Sequence, residues 1–257
     1  MSSATSLRTV GVMETFLALL AAVAATGFAA ELFRSWRSRP RAHAGMWSLA
    51  MGAYALATWA LFVGLAAGWS PAVFRTFYYL GAIVNIPFLA AGSVFLVVGP
   101  RAGRRFLTVA AVWALLGLGA VVVAPTAHRI EPGTLPEGSE LFPFVVAVGG
   151  LSLPGPRLFA AVSGAVGTLV IVGLAAWSAV RFFSSNRRLA LGNLLIVAGT
   201  LAPAVGGTST ALGEAGFFAL SLLVGAVLLW SGYRVASSAP RSLTGRTEPV
   251  ASAEPGR

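Results

Sequence analysis

The chain has 257 residues, of which 57% are hydrophobic and 10% charged, and its mean hydropathy is +0.82. This composition excludes a soluble domain and suits a polytopic α-helical membrane protein of about seven spans. The formal net charge is +10, yet most arginines lie in short segments between apolar runs, a placement that marks topology and argues against nucleic-acid binding. Because the chain has no Cys, disulfides and thiolate metal sites are also excluded.

Seven apolar runs follow one another along the chain, and each is long enough to cross a hydrocarbon core about 30 Å thick. We predict an all-α membrane protein with a seven-helix transmembrane domain at 10–234, a short outer N-terminus at 1–9 and a disordered cytoplasmic tail at 235–257. The first run could also be a signal peptide, but the four arginines that follow it favour an uncleaved helix. The predicted spans are 10–33, 46–68, 75–100, 106–124, 158–180, 189–207 and 214–233.

The third span has two unlike faces when it is read at helical spacing. One face is small and polar, with Tyr78, Gly81, Ala82, Asn85, Leu89, Gly92 and Ser93. The other is bulky and apolar, with Phe77, Leu80, Val84, Phe88, Ala91 and Phe95. Lipid offers polar groups no hydrogen-bond partner, so we predict that the small face turns inward, that the bulky face meets lipid, and that this helix lies in the middle of the bundle.

The distribution of arginines predicts the orientation. Fourteen of the 18 lie in the segments 34–41, 101–105, 181–188 and 234–257, which share one side of the membrane, and four lie on the other. Because basic residues favour the cytoplasmic side, the N-terminus is predicted outside and the C-terminus in the cytoplasm. All basic residues are Arg and none is Lys, which together with abundant Ala, Gly and Val suggests a GC-rich bacterial genome and hence a bacterial plasma membrane.

The connection 125–157 is long and is predicted to lie outside. Its prolines and glutamates make a helix there unfavourable. The apolar stretch 141–148 is too short to span, so we expect a strand-like or interfacial piece folded over the mouth of the bundle.

The residue inventory argues against an enzyme. Intramembrane aspartyl proteolysis needs Asp and a retinal Schiff base needs Lys, and the chain contains neither. The two histidines, His43 and His128, fall outside the predicted spans, so a metalloprotease motif or a serine nucleophile with its base is not expected. No catalytic residue, metal or cofactor is therefore predicted.

Candidate ligand residues concentrate at the predicted outer mouth. Glu14, Arg75 and Glu214 lie near the outer ends of spans one, three and seven, and Tyr78 lies one turn below Arg75. They form either structural ion pairs or a polar vestibule for a ligand, and in both cases we expect Arg75 within salt-bridge reach of Glu14 or Glu214. At the other end of span one, the i,i+3 spacing of Glu31 and Arg34 predicts a pair within that helix.

Three polar residues lie deeper in the spans. Asn85 on span three and Thr200 on span six reach about the same depth and lie beside Pro87 and Pro203, which free backbone carbonyls. We predict that their two faces point into a shared interior, for interhelical hydrogen bonding or ligand contact. Asn193 lies on the same face of span six.

The stretches FYYLGAIVNIPFLAAGS (residues 77–93) and GNLLIVAGTLAPAVGGT (192–208) resemble those of uncharacterised seven-helix membrane proteins of actinobacteria. They also weakly resemble the N-terminal seven-helix sensory domain of some bacterial histidine kinases. The stretch after Tyr233 has no room for a phosphoacceptor helix or an ATP-binding domain, so signalling is expected to need a partner.

Two functions remain open. The first is a non-enzymatic receptor-like or accessory sensor protein with a small outer-facing cavity that takes a small-molecule ligand or a membrane-protein partner. The alternative is a small-molecule transporter, since transporters commonly carry broken helices in corresponding repeats, and Pro87 and Pro203 lie in spans three and six of a possible three-plus-one-plus-three arrangement.

Overall fold

A computed structural model describes residues 2–125, 135–136, 141–209 and 215–238. Within these residues seven helices are long and apolar enough to span a membrane, as the sequence predicts, so the molecule is an all-α bundle with the character of a multi-pass membrane protein. The helices are α1 (Ser2–Ser38), α2 (Ala42–Ala67), α3 (Pro71–Val97), α4 (Pro100–Val123), α5 (Pro156–Phe182), α6 (Arg187–Ser209) and α7 (Ala215–Ser237).

Several helix ends differ from the predicted ones. Helix α1 already begins at Ser2, so residues 2–9 belong to a helix and are not a separate N-terminal segment. Helix α2 begins at Ala42, which puts His43 in its first turn and not outside the spans. Helix α7 continues to Ser237, and the predicted disordered tail beyond residue 238 lies outside the described residues.

The turn between α2 and α3 shows how the sequence sets these ends. Gly68 has a φ of 92°, a left-handed value that ends α2. The Ser70 hydroxyl then accepts a hydrogen bond of 3.2 Å from the backbone N–H of Val73, and Pro71 occupies the first turn of α3. The chain therefore reverses direction within a few residues.

Six of the seven helices form a closed ring. Each packs against the next in the order α1, α2, α3, α5, α6, α7, and α7 packs back against α1. Helix α4 lies outside this ring against α3 and α5, and it exposes large apolar residues such as Val109 and Leu115. Apolar side chains of this kind are suited to contact with lipid.

Helix α3 is one of the six ring helices and does not lie in the middle of the bundle, so the predicted central position is wrong, and so is the predicted lipid face. Val84 and Ala91, assigned to that face, are as buried as Asn85 and Leu89 on the opposite one. The reason is that α2, α4 and α5 all pack against α3 and leave it little lipid contact.

The backbone of α3 is irregular just before its middle. Residues Tyr79–Val84 form a π-helix, which continues into the α-helical segment Asn85–Val97. At the junction the Asn85 backbone N–H donates to the carbonyl of Leu80, five residues earlier. This π-helical turn ends three residues before Pro87, the proline that the sequence places in this span.

The predicted outer connection contains a β-hairpin. Strands β1 (Val145–Val148) and β2 (Leu151–Pro154) pair in antiparallel fashion around Gly149 and Gly150, which both have positive φ. The expected strand-like piece is thus present, and it is followed by a second strand. Just before the hairpin, the Phe142 ring packs against Phe74 and Tyr78 of α3 and fills this end of the bundle.

Helices α6 and α7 approach at the level of their backbones. A Cβ placed on Gly199 would lie 2.7 Å from the Leu229 nitrogen, and one on Gly232 would lie 2.8 Å from the Gly192 carbonyl oxygen. The small face of α6 therefore packs mainly against α7, its neighbour in the ring. The predicted shared interior with span three is wrong for the glycines of this face, which bring the two backbones together more closely than side chains allow. It is confirmed for Asn193, which lines one cavity with Leu89 and Ser93 of α3.

Candidate functional site

A cavity of about 950 Å³ lies inside the ring, at one end of the bundle. All six ring helices line it, and this end is formed by the connections that follow α1 and α5 and by the end of α7. We call it the arginine-rich end, because the segments 34–41, 101–105 and 181–188 lie there. Its volume falls in the range of about 300–1,000 Å³ that is typical of small-molecule sites.

The inner part of the cavity is apolar. Its floor is formed by Phe28, Leu89, Ile171, Ile196 and Leu229, which come from five different helices. Four of the five are buried, and Ile196 is half-buried. Only the packing of the ring could bring these residues together, because each belongs to a separate span.

The rim of the cavity is basic. Arg39, Arg41 and Arg181 line it together with His43, and the described residues of the lining include no Asp or Glu. Within the described part of the chain, none of these three guanidinium groups donates a hydrogen bond to the protein or pairs with a carboxylate. The rim thus offers three cations whose charge no described residue of the protein neutralises.

Neutral polar groups on the cavity wall are held in place by short hydrogen bonds. The Asn193 amide on α6 donates to the Ser178 hydroxyl on α5 at 2.8 Å, and the Tyr233 hydroxyl on α7 lies 3.2 Å from that of Ser35 on α1. Each bond joins two neighbouring helices of the ring, so the wall is organised before any ligand arrives.

An indole ring forms part of the same wall. Trp47 on α2 makes edge contacts with His43 and Tyr233, with ring centroids 5.4 Å and 6.4 Å away. A Cβ on Gly92 of α3 would collide with this indole, so only glycine leaves room for it there. The small residue that the sequence assigned to an inward face therefore accommodates a neighbouring aromatic ring.

The carboxylate of Glu31 joins α1 to α7 close to the cavity. It accepts a hydrogen bond of 2.8 Å from the Trp230 indole and pairs with Arg234 at 2.8 Å. The pairing predicted with Arg34 is wrong, since the Arg34 Nε donates to the carbonyl of Ala30 in its own helix. The actual partner of Glu31, Arg234, lies in the last turn of α7, and sequence spacing could not indicate it.

The predicted outer-mouth residues do not form a vestibule. Glu14 is buried and accepts a hydrogen bond from the backbone N–H of Gly216, while Arg75 donates to the carbonyl of Ala124 at 3.0 Å. Among the described residues the only ion pair joins Glu31 and Arg234, so the predicted Arg75–Glu14 contact is wrong. Tyr78 lies in the aromatic cluster with Phe142. Glu14 and Arg75 therefore each bond a separate backbone group of another segment and do not contact each other.

The deeper candidates are not brought together either. The Thr200 hydroxyl donates to the carbonyl of Ile196 in its own helix at 2.8 Å, and Asn85 lies on α3, which is not a ring neighbour of α6. The predicted pairing of Glu214 with Arg75 falls on a residue outside the described ranges. Of the predicted ligand residues that the structure describes, none lines the cavity, although Asn193, which the sequence also singled out, does.

The amide of Asn85 leads to a prediction about stability. Asn85 is only 5% exposed, and its Oδ1 accepts no hydrogen bond from the described residues. Because burying an unpaired polar atom costs free energy, Asn85→Leu should leave the free energy of unfolding unchanged or raise it by about 1 kcal/mol. Unfolding titrations in mixed micelles, with Phe88→Leu as the control, would measure this change, and a loss above about 1 kcal/mol would show that the amide is hydrogen-bonded.

The arginines of the cavity rim are visible in the sequence, but membrane topology alone is enough to explain their positions. Arg39, Arg41 and Arg181 belong to the segments that predict topology, and the positive-inside rule accounts for them without any ligand. Only the ring order places residue 181 beside residues 39 and 41.

Comparisons with protein-family models, with curated proteins and with solved structures gave no match. The resemblance to actinobacterial membrane proteins and to kinase sensory domains therefore stays a prediction. The function must be argued from the geometry of the cavity.

Proposed function

We propose that the protein is a non-enzymatic, receptor-like or accessory protein of the bacterial plasma membrane that binds a small anionic ligand in the cavity at its arginine-rich end. The observation that carries the proposal is the rim: three arginines around one cavity that, among the described residues, have no carboxylate partner and no acidic neighbour in the lining. The three side chains are exposed, but charges of one sign around a cleft with apolar walls focus the electric field and raise the local concentration of anions.

The proposal replaces the outer-facing cavity expected from the sequence with one at the opposite end. The other end of the bundle is filled by the rings of Phe74, Tyr78 and Phe142. With the arginine-rich end in the cytoplasm, as the distribution of arginines favours, the ligand would be cytoplasmic.

The orientation can be tested directly, because the chain has no cysteine. Ser184 lies in the connection after α5 and Ser152 in strand β2, and both are exposed. In intact cells a membrane-impermeant maleimide should label Ser152→Cys, whereas Ser184→Cys should be labelled only after permeabilisation. The opposite pattern would place the arginine-rich end, and with it the ligand, outside the cell.

Binding is tested by thermal unfolding of the purified protein with a panel of small carboxylates and phosphates. A ligand at 100 times its Kd should stabilise the folded form by about 2.7 kcal/mol and raise the midpoint temperature. Uncharged analogues should give a smaller shift, and so should Arg181→Gln, which removes a rim charge.

The matched control is Arg105→Gln, which removes a charge in α4, outside the ring and the cavity. This variant should keep the full shift. If no anion stabilises the wild-type protein, or if Arg181→Gln and Arg105→Gln respond alike, the anion site is not in the cavity.

The ring order supports transport as a second candidate function. Helices α1 to α3 and α5 to α7 form two consecutive sets of three, and α4 lies outside as the link between them. Two such sets with parallel topology resemble transporters built from repeats about an axis along the membrane normal. Once a ligand is known, proteoliposome uptake separates the functions, since a receptor binds the ligand without moving it across the bilayer.

A further inference from the structure

We propose that the ligand of this cavity is a single-chain anionic amphiphile, with a carboxylate or phosphate head at the arginine rim and an alkyl chain on the apolar floor. The inference rests on the proposed function and names the chemical class of its ligand. It follows from the way polarity changes along the depth of the cavity.

Helix α5 shows this change within one element. Arg181 lies at the rim and Ile171 at the floor, about 15 Å apart along the helix axis at 1.5 Å per residue. Between them, Ser178 supplies a hydroxyl close to the rim and Ala175 a methyl group nearer the floor. The wall thus changes from charged to polar to apolar in the direction of the bundle centre.

A small hydrophilic anion would match only the rim. The floor residues Phe28, Leu89 and Ile171 offer no hydrogen bond to a charged or hydrated group, and an apolar cavity does not hold water well. A methylene chain gains from this surface, because each buried CH₂ contributes enough to tighten binding from water about fourfold.

Three guanidinium groups and two neutral polar side chains are available to bind the head group of the ligand. Arg39, Arg41 and Arg181 approach the rim from the ends of α1 and α5 and from the start of α2, and guanidinium groups bind carboxylate and phosphate oxygens in pairs. Asn193 and Ser178 lie just below them. A neutral head would leave these cations without an acceptor.

The experiment measures protection of single cysteines in nanodiscs of zwitterionic lipid. Ser178→Cys reports on the polar wall and Ala175→Cys on the region near the floor, in a chain that otherwise lacks cysteine. The probes are butanoate, octanoate, decanoate and dodecanoate, with dodecanol as the uncharged match, compared at equal free aqueous concentrations. Labelling by a small maleimide is timed, and the thermal unfolding of each variant confirms that it folds.

We expect butanoate to protect Ser178→Cys only weakly and the longer carboxylates to protect both positions. Apparent affinity should rise about fourfold per added methylene until the chain fills the floor. Adding Arg181→Gln should lower the apparent affinity for decanoate at least tenfold and leave the apparent affinity for dodecanol unchanged. Dodecanol should protect Ala175→Cys less than dodecanoate does.

Other outcomes overturn the proposal in distinguishable ways. If short and long carboxylates protect Ser178→Cys equally and Ala175→Cys stays open, the cavity binds anions but not amphiphiles, and the proposed function stands alone. If no carboxylate protects either position, both fail. If the two cysteines are already protected in nanodiscs that contain a two-chain anionic phospholipid and no added carboxylate, the occupant is a membrane lipid. The single-chain assignment is then wrong.

Discussion

Gly199→Ala should lower the free energy of unfolding by about 2 kcal/mol, because it forces a methyl group between two backbones. The new Cβ would lie 2.7 Å from the Leu229 nitrogen and 3.0 Å from the Gly225 carbonyl oxygen, and neither atom can move without shifting helix α7. Alanine favours a helix over glycine by up to about 1 kcal/mol, which offsets only part of this cost. Unfolding titrations in mixed micelles would measure the difference.

Gly232→Ala provides a second measurement on the partner helix, where the Cβ would lie 2.8 Å from the Gly192 carbonyl oxygen. The control is Gly173→Ala on α5, since a Cβ there meets no atom within 4 Å. This variant should be as stable as the wild type or slightly more stable. Equal behaviour of all three variants would show that α6 and α7 do not pack through their glycines.

Phe142→Ala should destabilise the protein by about 3 kcal/mol and open the end of the bundle opposite the cavity. The Phe142 side chain is fully buried, with ring centroids 4.9 Å from Tyr78 and 5.5 Å from Phe74. Removing it leaves a hole among rings that cannot collapse, because Phe74 and Tyr78 are fixed on α3. Unfolding titrations measure the loss, and faster maleimide labelling of Tyr78→Cys in the Phe142→Ala background would report the opening.

The control for this prediction lies two residues away. Phe144 is 46% exposed, and the ring contact recorded for it is with the Arg157 guanidinium, 4.5 Å from its centroid. Phe144→Ala should therefore lower the free energy of unfolding by well under about 1 kcal/mol, as an ordinary surface substitution does. If Phe142→Ala were no more destabilising than Phe144→Ala, the aromatic cluster would not close this end of the bundle.

The candidate site was only partly visible in the sequence. Asn193 was recognised as an inward polar residue and does line the cavity. Glu14 and Arg75 instead bond backbone groups of distant segments, and Thr200 bonds a carbonyl of its own helix. An ionisable residue near a span end can be satisfied by any carbonyl or N–H that the fold brings close, and sequence spacing does not tell which one. The same ambiguity led to the Glu31–Arg34 pairing, which Arg234 replaces across almost the whole length of the chain.

The sequence by itself determined the seven spans and the strand-like piece in the long connection. These properties are local, since a span needs a long apolar run and closes its own backbone hydrogen bonds. Only the tertiary structure decided that α4 lies outside the ring, that α6 packs on α7, and that Arg39, Arg41 and Arg181 surround one cavity. The physical reason is that lipid is as apolar as a helix surface, so hydropathy does not say which faces meet. Close packing at small residues does, and it can be judged only when both helices are in place.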